Sequence, residues 1–350
     1  MPKPVRILLT GGGSGGHIIP NLAVASAIKG KKPNAEFLYI CSRSKLDKDL
    51  LKKSDIPFRP IFTGKWRRYF AWQNFVDPFF VALGFFQSFF ILIRFWPHVV
   101  FSKGGFVGLP VVLAAFILRR KIILHESDSR MGIANRISSK LANHVCVAFP
   151  NLLKKNKKYR MTGNPIRPEI ATGSATEGFK LTGFKKSLPV LLVWGGSQGA
   201  FQINQMIEEE FKELTREFQI VHITGKGKSI KKRSLHYVHF EYLDENLKHI
   251  YAITDLVIGR AGANSLYEIA YLKKPNIIIP LKNADQIKNA DYFSRNGASI
   301  IHTKENSLFE VTHDLWQNKA LQNQMRKSLG KIVEKNANEE IAKLILNLPG

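Results

Sequence analysis

At 350 residues the chain is longer than a single hydrophobic core usually grows, which points to two domains. Apolar residues at 45% and charged residues at 23% exclude a disordered, low-complexity or fibrous chain. The 52 Lys and Arg against 27 Asp and Glu leave a formal net charge of +25, a field that attracts polyanions or anionic lipid surfaces.

The first residues, MPKPVRILLT, run directly into a predicted strand without the apolar core and small-residue cleavage site of a secretory signal, so a cytoplasmic protein is expected. From there short apolar runs alternate with helical patterns. VRILL precedes a helix predicted near Asn21 to Lys29, FLYIC one over Lys45 to Lys53, VVF one over Pro110 to Leu118, and KIILH one over Ile133 to Leu141. This alternation predicts βα units around a parallel sheet. Cys41 and Cys146 each lie inside an apolar run with no metal-ligand spacing around them, and they read as core residues in a reducing compartment.

The segment from Phe79 to Ile93 has 15 residues without a charge, short of the roughly 18 to 20 that cross a bilayer. It reads as a core helix of the first sheet, its phenylalanines turned inward. Its flanks, Lys65, Trp66, Arg67, Arg68 and Tyr69 before it and Arg94 and Trp96 after it, combine cations with interfacial aromatics and read as a membrane-docking surface.

Residues Asn151 to Leu188 are richer in Lys, Gly, Pro and Thr, and VLLVW then opens a second series through IVHI, LVI, NIIIP and ASIIH. The domain junction is placed near Pro165, giving domains 1–164 and 165–331, each a doubly wound Rossmann-like unit with the cleft between them as the default site. The run Lys226, Lys228, Lys231, Lys232 and Arg233 reads as a solvated loop.

Four glycine turns link strands to helices: Gly11 to His17, Lys103 to Gly108, Gly195 to Gly199, and Arg260 to Ser265. Glycines let a backbone approach a ligand, and a helix start offers amides to an anion. The first turn lacks the Lys-Ser or Lys-Thr ending of a nucleotide-hydrolase loop, and Cys41 and Ser42 stand where a dinucleotide fold needs an acid. His17, at the end of the first turn, is either a satisfied structural histidine or a general base. Glu268, read in the first turn of its helix, either steadies the helix dipole or grips a ribose diol. No helix-turn-helix, zinc-ligand or aromatic RNP pattern accompanies the charge, so no specific nucleic-acid partner is expected.

In one order along the chain stand GGGSGGHIIP, SKGGFVGLP, HESDSRMGIANR, GNPIR, VWGGSQGAFQIN and RAGANSLYEIA followed by DQIKNA. Together they resemble the bacterial undecaprenyldiphospho-muramoylpentapeptide β-N-acetylglucosaminyltransferases of glycosyltransferase family 28. The resemblance spans essentially the whole chain. It implies an α/β GT-B fold with two Rossmann-like doubly wound domains of parallel sheets facing across a cleft. The acceptor and membrane side would lie in the first domain and the UDP-sugar in the second, with a final helix, about 332–350, returning to the first.

The implied reaction moves N-acetylglucosamine from UDP-N-acetylglucosamine, with inversion, to the C4 hydroxyl of the muramoyl residue of an undecaprenyl-linked muramoylpentapeptide. Carried over residue by residue, the donor site is Ser14, Gly15, Gly16, Asp128, Arg167, Ser197, Leu243, Ala263, Asn264, Ser265, Leu266, Tyr267, Glu268 and Gln286. His17, Gly104 and Gly105 face the acceptor. His17 is the candidate base and Asp128 the alternative; the amides near Ser197 and the helix start near Ala263 would stabilise departing UDP. The chain departs from the family pattern at Asp128, where Asn is common, and at Asp285, where His is. A diacylglycerol glycosyltransferase of the same fold is the alternative reading, opposed by HES, GNPIR and GGSQG. The acidic pair Asp244 and Glu245 is not read as a metal-holding cluster, and no obligatory metal or other cofactor is expected. The expected location is peripheral, on the cytoplasmic face of the inner membrane, in the company of other wall-synthesis enzymes.

Overall fold

The computed structural model describes residues 4–64, 73–196, 199–282, 284–303, 305–333 and 336–348. The chain divides into two compact units, Met1–Arg167 with Lys335–Gly350, and Pro168–Glu334. The first unit runs β1 (Arg6–Thr10), α1 (Gly15–Lys31), β2 (Glu36–Ser42), α2 (Lys45–Lys52), β3 (Phe58–Ile61) and α3 (Gln73–Phe95). It continues through β4 (Val99–Ser102), α4 (Gly105–Ile117), β5 (Lys121–Glu126), α5 (Ile133–Leu141), β6 (His144–Val147) and β7 (Tyr159–Met161). The second unit opens with α6 (Ala175–Thr182), β8 (Val190–Trp194), α7 (Phe201–Glu209), α8 (Phe211–Glu217), β9 (Gln219–Ile223) and β10 (Tyr237–Phe240). Then follow α9 (Leu247–Ile253), β11 (Leu256–Gly259), α10 (Ala263–Tyr271), β12 (Asn276–Ile278), α11 (Ala284–Arg295), β13 (Ile300–Ile301), α12 (Leu308–Gln317) and α13 (Lys319–Ile332). The last helix, α14 (Ala337–Leu346), belongs to the first unit.

All strand pairs are parallel, in the orders β3-β2-β1-β4-β5-β6-β7 and β10-β9-β8-β11-β12-β13. Parallel strands need helices on both faces, so successive residues are all apolar rather than alternating with polar ones. Ile7 and Leu9 of β1 accordingly join one core with α1 and α14, while Leu8 joins another with α3 and α4. α14 docks through Ile341, Ala342 and Ile345, an ion pair between Lys31 and Glu339 at 2.6 Å, and two Asn338 hydrogen bonds with the backbone of Ile166.

The strand orders explain the glycine turns. Each sheet reverses its winding once, between β1 and β4 and between β8 and β11, and ligands of open α/β sheets bind beyond the carboxyl ends of such neighbouring strands. The four turns follow β1, β4, β8 and β11, so two flank each switch point.

Three expectations are corrected. The helices after β1 and β4 begin at Gly15 and Gly105, inside the glycine turns, not near Asn21 and Pro110. Pro20 and Pro110 are each the sixth residue of their helix, where only one intrahelical donor is lost. Glu268 lies in the second turn of α10 and is buried, away from the first-turn position that a dipole role requires. Finally, α3 extends to 23 residues, and Phe79, Phe86 and Phe90 point outward, 62%, 57% and 67% exposed. The buried side of α3, which packs on α4, carries Leu92 and Ser88; Phe80, Phe85, Phe89 and Phe95 are half-buried, and among the described phenylalanines of the helix only Phe79, Phe86 and Phe90 are left on the opposite face. By length and composition alone the span Asp77–Phe95, with a mean hydropathy of 1.7, is long enough to cross a membrane.

Candidate active site

In the first unit the site is assembled around the β1/β4 switch point. The backbone amide of Gly13 donates to both carboxylate oxygens of Asp47, at 2.9 and 3.0 Å. Asp47, fully buried in α2, also accepts from the amide and hydroxyl of Ser42. The carboxylate thereby pins the glycine turn to the end of β2. A side chain at Gly12 would strike it, which is why the turn is glycine there. Nothing in the sequence spacing links Asp47 to Gly13, 34 residues earlier.

Ser14 caps α1 in extended conformation, and its hydroxyl meets His17 Nδ1 at 3.0 Å. The other edge of the ring lies against Gly105, whose absent Cβ would sit 3.4 Å from Nε2. Gly104 and Gly105 have φ of +85° and +74°, values that L side chains resist, and a Cβ on Gly104 would overlap the Asn135 amide. Burial, followed by the field of Lys103, lowers the His17 pKa to about 4, with the Asp47 carboxylate opposing. His17 is therefore neutral at pH 7. To act as a base through Nε2 it must hold its proton on Nδ1 and donate it to Ser14.

Beneath this turn lies a polar cluster that the sequence reading did not single out. Lys103, 2% exposed, reaches His125 Nδ1 at 2.8 Å, Ser127 Oγ at 2.6 Å and Asn164 Oδ1 at 2.7 Å. His125 Nε2 meets the Gly163 carbonyl at 2.9 Å, and a carbonyl only accepts. The histidine is thus the Nε2–H tautomer, with Nδ1 accepting from Lys103. Burial, then the Lys103 charge, depresses the His125 pKa. Burial also brings Lys103 down to about 7, resisted by Glu126 and Asp128, and pushes Glu126 up to about 7, reinforced by Asp128. Glu126 accepts from the amides of Asp128 and Gly132 and from Asn135 Nδ2, so it shapes the loop that carries half-buried Asp128. The motif string HES was visible; the role of each letter needed the neighbouring strands.

In the second unit Gly196 and Gly199 have φ of +85° and +68°, and a Cβ on Gly199 would overlap the Thr224 carbonyl. Ser197 lies outside the described residues. The turn is backed by Asn204, whose Nδ2 donates to the carbonyls of Thr224 and Lys228. Its Oδ1 meets His222 Nε2, and His222 Nδ1 meets the Tyr237 hydroxyl, both at 3.0 Å. Across the switch point, α10 begins at Ala263, with Asn264 and Ser265 half-buried in its first turn. The side chains of Leu266 and Tyr267 are core, Tyr267 packing on Phe293, so only their backbone can meet a ligand. Tyr251 donates to Glu268 at 3.5 Å. Leu243 is half-buried between β10 and α9, and Gln286 in α11 accepts from the Leu281 amide. Arg167 is half-buried at the end of the first unit's main segment. The structure thus sets Ser14, His17, Gly104 and Gly105 at the β1/β4 switch point and Ala263 to Ser265 at the β8/β11 one, while Asp128, Arg167, Leu243 and Gln286 follow other strands, β5, β7, β10 and β12.

Comparison with known proteins gives the family and the fold. The glycosyltransferase family 28 N-terminal domain matches residues 7–147 and the family 28 C-terminal domain residues 190–345. A UDP-N-acetylglucosamine–N-acetylmuramyl-(pentapeptide) pyrophosphoryl-undecaprenol N-acetylglucosamine transferase of Legionella pneumophila (strain Lens) is 44% identical over 304 residues, 84% of this chain and 83% of that protein. The protein of that name from Clostridium botulinum (strain Langeland) is 41% identical over 352 residues, 97% of this chain and 99% of its own. Among solved structures, Acinetobacter baumannii MurG superposes with a TM-score of 0.75 at 24% identity, covering 99% of this chain and 100% of that one. The Streptomyces glycosyltransferase SsfS6 with thymidine diphosphate superposes at 0.69 and 13% identity, covering 98% and 99%. These likenesses establish the GT-B type of fold, with two parallel-sheet α/β domains. By the family matches and the relatives at 41–44% identity, the chain belongs to glycosyltransferase family 28, and within it to the UDP-N-acetylglucosamine–N-acetylmuramyl-(pentapeptide) pyrophosphoryl-undecaprenol N-acetylglucosamine transferases.

Proposed function

We propose that this enzyme transfers N-acetylglucosamine from UDP-N-acetylglucosamine to the C4 hydroxyl of the muramoyl residue of an undecaprenyl-diphospho-muramoylpentapeptide, with His17 as base. The relatives at 41–44% identity support the substrates, and the observation that carries the choice of base is His17 itself. It is neutral, held between two glycine turns at a switch point, with the Ser14 hydroxyl able to accept a proton held on Nδ1. The acceptor hydroxyl gives its proton to Nε2 as its oxygen attacks C1; the bond from C1 to the UDP oxygen breaks, and the electron pair leaves with UDP. The start of α10 faces the developing diphosphate charge, and Glu268 takes the ribose diol. Ser14, Gly15, Gly16, Asp128, Arg167, Ser197, Leu243 and Gln286 complete the donor site; Gly104 and Gly105 line the acceptor side. The reaction is read as metal-independent: in the one DxD triplet of the sequence, Asp47-Lys48-Asp49, the Asp47 carboxylate is already taken by the donors of Gly13 and Ser42. Mass spectrometry of products from purified protein, UDP-N-acetylglucosamine and either the muramoyl lipid or diacylglycerol tests this. One N-acetylhexosamine added to the muramoyl lipid alone is expected; transfer to diacylglycerol would overturn the acceptor.

The same reading places the enzyme on the cytoplasmic face of an anionic membrane through α3. Phe79, Phe86, Phe90 and Ile93 recur at helical spacing along its exposed face, beside exposed Phe116 and Ile117 at the end of α4. Arg94 and Arg119 are exposed nearby in sequence, and the Arg120 guanidinium lies 4.3 Å from the Trp96 ring, a pairing suited to the interface. The basic flank from Lys65 to Tyr69 lies outside the described residues. Each phenylalanine lost from an apolar contact costs about 1.5 kcal/mol or more, so the double variant Phe86→Glu/Phe90→Glu should bind phosphatidylglycerol vesicles on the order of 100-fold more weakly. Activity on a water-soluble acceptor analogue should persist. Unchanged co-sedimentation would remove α3 as the anchor.

A further inference from the structure

We propose that Lys103 is a positioning residue for His17: its buried ammonium, locked by three acceptors beneath the glycine turns, adds to burial in holding the imidazole unprotonated and ready to act. The inference rests on His17 being the base. Lys103 directly precedes Gly104 and Gly105, and its backbone amide donates to the Thr10 carbonyl at 3.0 Å, which ties the end of β4 to the end of β1. A Cβ built on Gly11 would lie 3.3 Å from Cβ of both His17 and Lys103, so the two side chains start close together over this one glycine. Its Nζ does not face open solvent, and all three ammonium protons are committed to His125, Ser127 and Asn164. Such a cation is a fixed element of the site rather than a ligand-seeking side chain. Its charge disfavours a second cation on the adjacent imidazole.

The groups facing Lys103 are His125 and Glu126 on β5, Asp128 on the following loop, Cys146 on β6 and His17 on α1; those facing His17 are Lys103 and Asp47. Glu126 and Asp128 favour the ammonium, and through it they act on His17. The departure from the family pattern at Asp128 is thereby given a use: it adds a carboxylate within the field of the buried lysine.

The test is an NMR titration of His17, assigned by its disappearance in His17→Gln, together with the pH profile of kcat/KM. In Lys103→Met and Lys103→Gln the His17 midpoint should rise by about one pH unit, and the acid limb of kcat/KM should follow it. Lys103→Arg, which keeps the charge, should leave both near wild type. A merely structural lysine would lower the melting temperature without moving the titration. Should both neutral variants fail to fold, the wild-type titration decides: deprotonation of Lys103, which burial shifts downward, should appear as a second step in the His17 chemical shift above the imidazole step. An unmoved midpoint in a folded neutral variant, or no second step in the wild type anywhere up to the ordinary lysine range, overturns the proposal. A midpoint that moves while the acid limb stays fixed would instead show that His17 is not the base.

Discussion

His17→Ala should lower kcat by about 100-fold to 10,000-fold while leaving UDP affinity unchanged, because a positioned base contributes in the transition state alone. Single-turnover kinetics with saturating donor, paired with calorimetric titration of UDP, separates the two quantities. Loss of UDP affinity in step with kcat would remove the role assigned to His17. The pH dependence carries a further signature. With its pKa lowered to about 4, His17 is protonated only in acid, so the free enzyme should keep kcat/KM down to about pH 4 before this group fails. Diphosphate-bearing substrates bring negative charge toward the imidazole and favour its protonated form, so the acid limb of kcat should lie above that of kcat/KM. Stability has the matching sign. Because the folded value is depressed below the unfolded 6.5, the native state binds fewer protons between the two values. The contribution of His17 to stability is complete above pH 6.5 and is lost as pH falls toward 4.

Asp47→Ala should destabilise the first unit by about 3 kcal/mol, since it orphans the buried donors of Gly13 and Ser42 at one stroke. For a unit of this size that is a fall of roughly 6 to 12 °C in melting temperature. The loss should extend to catalysis, because the turn that Asp47 holds also carries Ser14 and His17: kcat/KM should fall by about 10-fold or more even well below the melting transition. Asp47→Asn keeps one acceptor and should fall between the two proteins. A melting curve for Asp47→Ala that overlays the wild type would show that the turn is held by its own backbone. Asp47 is remote in sequence from every motif that marked the site, so this prediction comes from the folded arrangement alone.

The difference between Asp47 and His17 illustrates what a sequence can disclose. His17 stands inside a local signature, a glycine run after an apolar strand, and such signatures survive in one dimension because backbone approach and helix starts are short-range requirements. The α/β class was legible for a related reason. Strands buried on both faces must be apolar at every position, and VRILL, VLLVW and NIIIP announce themselves without knowledge of their neighbours. Helix starts were less legible. Pro20 and Pro110 looked like first residues, but glycines can begin a helix earlier, and one missing donor six residues in is tolerated. The phenylalanines of α3 were placed inward because composition specifies that a helix is apolar, whereas its outward face depends on which side meets α4.

By itself, then, the sequence determined the two series of parallel strands, the glycine turns, the histidine candidate and the family. Tertiary structure decided everything that joins distant segments. The strand orders put the turns at the β1/β4 and β8/β11 switch points. The ammonium of Lys103 found its partners 22, 24 and 61 residues away. The physical reason is one of range: local patterns encode backbone conformation and burial, while the partner of a buried charge is whichever polar group the completed sheet brings within about 3 Å of it.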